Sequence, residues 1–187
     1  MDDTILRRTW AEIDLDALSH NCQRARELTG PKVKYLGVVK ADAYGHGALQ
    51  TASHLERLGV DYLAVSSFDE AWELRRGGIQ APVLILGHTP PEMVPQLIAR
   101  NITQAVSCEV KAREYSAAAS ACGGTLRVHI KVDTGMSRLG FLVRDRHFES
   151  GVERIACACG LPHLEAEGIF THFAVADEDG GDSEAYT

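Results

Sequence analysis

The strongest constraint on this chain is a regular alternation of short apolar runs with amphipathic helical stretches. Runs rich in Val, Ile and Leu fall at 34–39, 62–65, 82–86, 103–106, 126–132 and 164–170. Segments with helical spacing of apolar residues follow at 48–58, 68–76, 91–100, 109–121 and 146–159. Gly59, Gly77-Gly78, Gly123-Gly124 and Gly160 fall between the end of a helical stretch and the next run. Glycine is expected there, because its missing Cβ lets the chain leave a helix in a left-handed conformation. Strand–helix alternation predicts a parallel sheet covered by helices. Upstream, the alternation of apolar and polar residues over 9–15 predicts one further strand. Asp16 then caps a predicted helix to Leu28, with Leu18, Cys22, Ala25 and Leu28 along one face.

Six strands from Lys34 onward fit a doubly wound sheet or part of an eight-stranded barrel. Lys40, Ser66, Ser107, Asp133 and His172 each follow the C-terminal end of a predicted strand. In a barrel those ends share one rim, where chemistry is done. In an open sheet only residues near a reversal of strand order converge. Residue spacing leaves both open.

The chain has 187 residues and a formal net charge of −7, enough for one domain with a sizeable core. No cluster of Lys and Arg offers a nucleic-acid surface. No apolar run can span a bilayer, and Met1-Asp2-Asp3-Thr4 does not open a signal peptide. Five scattered cysteines without a secretion signal predict a reducing, cytoplasmic setting. Cys157-Ala158-Cys159 is too tight and isolated for a zinc half-site and reads as small buried thiols. His46 and His88 have no partner ligand, so no metal is expected. Asn101-Ile102-Thr103 matches a glycosylation acceptor only formally.

Three stretches carry chemistry. In Val38-Val39-Lys40-Ala41-Asp42-Ala43-Tyr44-Gly45-His46-Gly47 a run suited to a buried strand ends on a lysine, then on a turn with two glycines. A lysine held out of water presents a nucleophilic amine that can condense with an aldehyde. The second stretch is His129-Ile130-Lys131-Val132-Asp133-Thr134-Gly135-Met136-Ser137-Arg138-Leu139-Gly140-Phe141, and the third is Gly168-Ile169-Phe170-Thr171-His172-Phe173-Ala174. Asp-Thr-Gly alone occurs in many loops, and a lone His172 would read as structural.

Taken whole and in order, these strings, with residues 9–15, resemble the alanine racemases, which depend on pyridoxal 5′-phosphate (PLP). The resemblance covers the chain from near Thr9 to near Asp177 and implies the fold: a PLP-binding (β/α)8, TIM-like barrel. It implies that Lys40 carries PLP as an aldimine and moves the α-proton on one face of the substrate. It puts Tyr44 near the cofactor phosphate and His172 against the cofactor ring. It puts Arg138 at the cofactor's phenolic oxygen and the substrate carboxylate. Met136 offers a backbone contact to substrate, Val38 and Leu86 form apolar wall, and Lys131 is a candidate carbamate. It further implies a cytoplasmic homodimer that interconverts L- and D-alanine, supplies D-alanine for peptidoglycan, and takes its second acid–base group from a partner's tyrosine.

Two other readings stand beside this one: a serine or broad-specificity racemase of the same family, and a non-catalytic PLP-binding barrel. By strand count, residues 1–187 read as a partial N-terminal barrel, ending after about six barrel strands and lacking a C-terminal β-domain. Alone it is expected to be inactive.

Overall fold

The computed structural model describes residues 9–177. The element order is α1 (Leu15–Thr29), β1 (Leu36–Val38), α2 (Lys40–Gly45), α3 (Ala48–Arg57), β2 (Tyr62–Val65), α4 (Phe68–Arg76), β3 (Val83–Ile85), α5 (Val94–Ala99), β4 (Ile102–Val106), α6 (Glu109–Ala121), β5 (Leu126–Asp133), β6 (Phe141–Leu142), α7 (Phe148–Cys159) and β7 (Leu164–Phe170). Short 3-10 turns at Pro91–Met93 and Asp145–His147 lead into α5 and α7. The strands pair in the order β1-β2-β3-β4-β5, with β7 also on β5, and every pairing is parallel. Strand order follows the chain without reversal, which is the winding of a barrel and not of a doubly wound sheet. Among the described residues β1 and β7 are open on one side, as is the two-residue β6.

Because successive side chains on a strand point to opposite faces, the sheet supports two cores. Leu63, Val65, Val83, Ile85, Val106, Val128 and Ile130 pack outward against Ala52, Leu74, Leu97, Ala112 and Tyr115 of the helices. Ala64, Leu84 and Ala105 form a smaller inner cluster with Tyr62, Leu86 and Phe170. The outer cluster contributes most of the stability, because each fully buried Leu, Ile or Val is worth about 1.5–3 kcal/mol over its exposed state.

Several expectations are corrected. Residues 9–14 form no strand, since no neighbouring backbone pairs with them, and Trp10 is 68% exposed. Asp14, not Asp16, caps α1, accepting from the Asp16 and Ala17 amides at 2.8 and 3.1 Å. Leu28 does not share the buried face, being 81% exposed. β1 is not buried on both faces. As an edge strand it leaves Leu36 and Val38 exposed while Gly37 is covered. The two-residue strand β6 had no readable pattern of its own; it exists because Phe141 is buried beside Val132. Cys157 and Cys159 are exposed on the outer face of α7, which turns Ala158 inward. The predicted bounds of β2, α4, α6 and β7 coincide with those observed. The tail beyond Asp177 lies outside the described residues.

Candidate active site

Because all strands run the same way, their C-terminal ends lie on one rim. Lys40 leaves β1 there, Ser66 leaves β2, Leu86 leaves β3, Ser107 leaves β4, Asp133 ends β5, and His172 leaves β7.

The segment after Lys40 is the least expected feature. Ala41, Asp42, Ala43 and Tyr44 all have φ between 51° and 56°, one turn of left-handed helix built without glycine. Each such residue costs about 1–2 kcal/mol against a right-handed conformation, so the surroundings must hold the turn. Two carboxylates do so. Asp42 Oδ1 accepts from the Ala48 amide at the start of α3 at 2.6 Å. Glu70 of α4 accepts from the Ala41 amide at 2.8 Å, and from the Ser66 amide and Oγ at 2.6 and 2.7 Å. Burial pushes the Glu70 carboxyl up, but the Ser66 hydroxyl and the Ala41, Ser66 and Ser67 amides together hold it below the usual range. The turn brings the Tyr44 ring beneath the lysine, with Nζ 5.9 Å from its centroid. Gly45 and Gly47 turn the chain at positive φ as the sequence suggests, 88° and 85°, and the left-handed path also takes in the four non-glycine residues before them.

The loop after β5 is equally constrained. Asp133 Oδ1 accepts from the Gly135 and Ser137 amides, each at 3.0 Å, which curls the backbone around the carboxylate and presents Met136 and Arg138. Gly140 has φ 131°, and a Cβ there would lie 2.6 Å from Val132 C and 2.7 Å from Asp133 N, so only glycine fits. Thr134 Oγ1 meets Thr171 Oγ1 at 2.8 Å, fastening the Arg138 loop to the segment bearing His172. Lys131 lies along the same strand, with Nζ 5.1 Å from the Phe170 ring centroid and 3.3 Å from Val132 O. Burial holds its ammonium below the usual lysine range; Asp133 opposes that, and the Arg138 charge adds to it.

Beside the apolar inner cluster the barrel interior also carries a polar network, which sequence reading missed. Glu167 accepts from Tyr62 Oη at 2.5 Å and Thr103 Oγ1 at 2.9 Å. It faces Arg127 and His129, each at 3.6 Å. Burial, then the bond to Glu167, pushes the Tyr62 phenol up to about 12. Burial lowers His129, against the pull of Glu167. Burial also works against an ionised Glu167, yet the Tyr62 and Thr103 bonds and the Arg127 and His129 charges hold its carboxyl below the usual range. The signal was present in the alternation of Arg127, His129 and Lys131 on one face of β5 and of Glu165 and Glu167 along β7.

Lys40 and Tyr44 are brought together, and Met136, Arg138, Lys131 and His172 form a second group across Thr134 and Thr171. Among the described residues no hydrogen bond or ion pair joins the two groups, because they stand at opposite edges of the sheet. Val38 ends β1 two residues before Lys40, and Leu86 follows β3, two strands away, packed on the inner cluster. A groove of about 440 Å³ beside β1 reaches Val38, Ala43 and His46 but not Lys40, so the candidate site is the rim and not that groove. His46 is turned onto the Ala43 carbonyl (Nδ1 to O, 2.7 Å), and no metal-binding cluster occurs among the described residues. No helix there is long and apolar enough to cross a membrane.

As a donor set these residues fit a flat, anionic aldehyde. Lys40 offers the amine, Tyr44 a phenol, Arg138 a guanidinium fork for an oxyanion, and His172 an imidazole.

Comparisons with known proteins agree with the fold. Residues 13–187 match the family model described as alanine racemase, N-terminal domain. The chain is 46% identical over 172 residues to the alanine racemase of Desulfosudis oleivorans, covering 90% of this chain and 44% of that one. An alanine racemase structure from Clostridium difficile 630, in complex with cycloserine, superposes with a TM-score of 0.87 at 42% identity, covering 97% of this chain and 49% of that one. A histidine racemase from Leuconostoc mesenteroides superposes with a TM-score of 0.79 at 30% identity, covering 93% and 45%. The chain therefore spans about half the length of these relatives.

Proposed function

The chain belongs to the alanine racemase N-terminal domain family, and from that membership we propose that the protein containing it interconverts L- and D-alanine with PLP held on Lys40. One observation carries the reading. Lys40 stands at the strand-end rim, followed by a strained turn fixed at both ends, and Arg138 and His172 stand on the same rim. PLP supplies an electron sink that acidifies the substrate α-proton. Lys40 Nζ, set free when the substrate amine takes its place, would then take or return that proton on one face. Arg138 pairs with the substrate carboxylate and the cofactor's phenolic oxygen, with Met136 offering a backbone contact beside it. Tyr44 faces the cofactor phosphate, His172 packs on the ring, and Val38 and Leu86 exclude water.

Inversion needs a second acid–base group on the opposite face, proposed to be a tyrosine from the partner in a homodimer. The lowered Lys131 ammonium favours the neutral amine that can take up carbon dioxide as a carbamate; the resulting anion would pair with Arg138 and fix it. The setting proposed is cytoplasmic, with D-alanine passing to peptidoglycan. A racemase for another amino acid is a second reading, supported by the similarity to a histidine racemase. None of the rim residues assigned here meets the substrate side chain. The test is to supply the whole protein with PLP and either L-alanine or other L-amino acids and to follow the D-enantiomers. D-alanine formed fastest is the expected result; turnover of another amino acid alone would select the second reading.

A further inference from the structure

Resting on the reading that Lys40 holds PLP, we propose that Glu70 is the positioning residue for that lysine, pinning the amide after it to the end of the neighbouring strand. Ser67-Phe68-Asp69-Glu70 is a capping box, in which the glutamate normally reaches back to satisfy an amide at the start of its own helix. Here the carboxylate does more. One oxygen takes the Ser66 amide and hydroxyl at the end of β2, and the other crosses to the Ala41 amide at the end of β1. One side chain thus fixes the spacing of two adjacent strand ends at the point where Lys40 leaves the sheet. The strained turn begins at Ala41, so loosening this contact releases the backbone from the lysine outward. Asp42 secures the far end of the turn on α3; at the lysine end Glu70 is the side chain that acts, beside the backbone bonds from Val39 N–H to Ala64 O and from Ala43 N–H to Val39 O. The bonds that hold the Glu70 carboxyl ionised make each contact charge-assisted. Glu70 touches neither substrate nor cofactor in this scheme and acts only through the backbone of Lys40 and Ala41.

Glu56 provides a control for the loss of charge. It too is a helix carboxylate accepting two loop amides, Gln80 and Ala81, at 2.8 and 2.6 Å, but away from Lys40. In the full-length protein, Glu70→Gln turns an amide NH2 toward one of the donors and breaks part of the clamp. Glu56 takes both amides on one oxygen, so Glu56→Gln removes a charge elsewhere while its carbonyl oxygen keeps both contacts. Urea unfolding of both variants calibrates the general loss of stability. PLP titration, read by absorbance of the lysine-bound form, and hydrogen exchange of the segment after Lys40 then report positioning. Glu70→Gln is expected to raise the apparent PLP dissociation constant about tenfold, the scale of one charge-assisted hydrogen bond, and to speed exchange at Ala41. Glu56→Gln leaves both at wild-type values. Ser66→Ala, which removes one donor and spares the fold, shifts both in the same direction by roughly threefold. Glu70→Gln behaving like Glu56→Gln, with wild-type uptake normal, overturns the clamp alone. A wild type that binds no PLP on Lys40 overturns the proposed function and the clamp with it.

Discussion

Replacing Glu167 with glutamine tests whether the polar barrel interior is held by charge. The substitution keeps volume and shape but removes the negative charge that four neighbours face. Two hydrogen bonds, from Tyr62 at 2.5 Å and Thr103 at 2.9 Å, become neutral. Hydrogen bonds to charged groups are worth about 1.5–3 kcal/mol against about 0.5–1.5 for neutral ones, so this step costs about 2 kcal/mol. The Arg127 contact adds little, since its side chain is 30% and that of Glu167 24% exposed at a distance of 3.6 Å; a pair of this kind gives about 0.5 kcal/mol. The predicted loss is about 2–3 kcal/mol at neutral pH, read by urea unfolding of the whole protein. The sign of the pH dependence follows from the lowered Glu167 carboxyl. A carboxylate with a depressed folded-state pKa contributes stability above its unfolded value and loses it as pH falls through the folded one. The wild type should therefore approach the variant on acidification below the ordinary glutamate range. A loss under about 0.5 kcal/mol, or a gap that stays constant into acid, would refute the reasoning.

Other consequences follow from the same geometry. Gly140→Ala forces a Cβ against the backbone of Val132 and Asp133 at a positive φ; it should destabilise by about 3 kcal/mol or more and loosen the Arg138 loop, measured by unfolding and by proteolysis of that loop. Arg138→Lys keeps charge but not the planar fork; turnover should fall at least about tenfold while PLP titration stays near wild type, and unchanged steady-state kinetics would remove Arg138 from the site. Bicarbonate should raise the mass of the peptide containing Lys131 by one carbamate when it is trapped by alkylation, and Lys131→Ala should lose that signal; a bare lysine under saturating bicarbonate counts against the modification. Above the ordinary tyrosine range the raised Tyr62 phenol predicts stability lost as pH climbs from about 10 toward 12, and Tyr62→Phe should remove that dependence.

The parallel architecture was legible because strand and helix periods differ and change cleanly at each glycine hinge. β2, α4, α6 and β7 carried their own boundaries: a capping serine before α4, a glycine pair after α6, apolar runs in the strands. The reading failed where a partner decides the outcome. Residues 9–15 alternate like a strand, but alternation expresses a face and not a neighbour, and no described strand pairs there. β1 reads as fully buried from Val38-Val39, yet its exposure depends on what lies along its open edge. The rim residues were visible because each follows a strand; the left-handed turn was not, since Ala41, Asp42, Ala43 and Tyr44 carry no local preference for positive φ and are held there by Glu70 and Asp42. The Glu167 network was missed for a related reason. A charged residue in a strand reads as outward-facing until the winding of the sheet turns that face into an interior.

Borohydride reduction of the PLP-loaded whole protein, followed by peptide mapping, tests whether Lys40 holds the cofactor. A pyridoxyl group is expected on the peptide containing Lys40, with its loss in Lys40→Ala. A stable adduct on Lys131 or any other lysine, with Lys40 unmodified, would contradict that expectation.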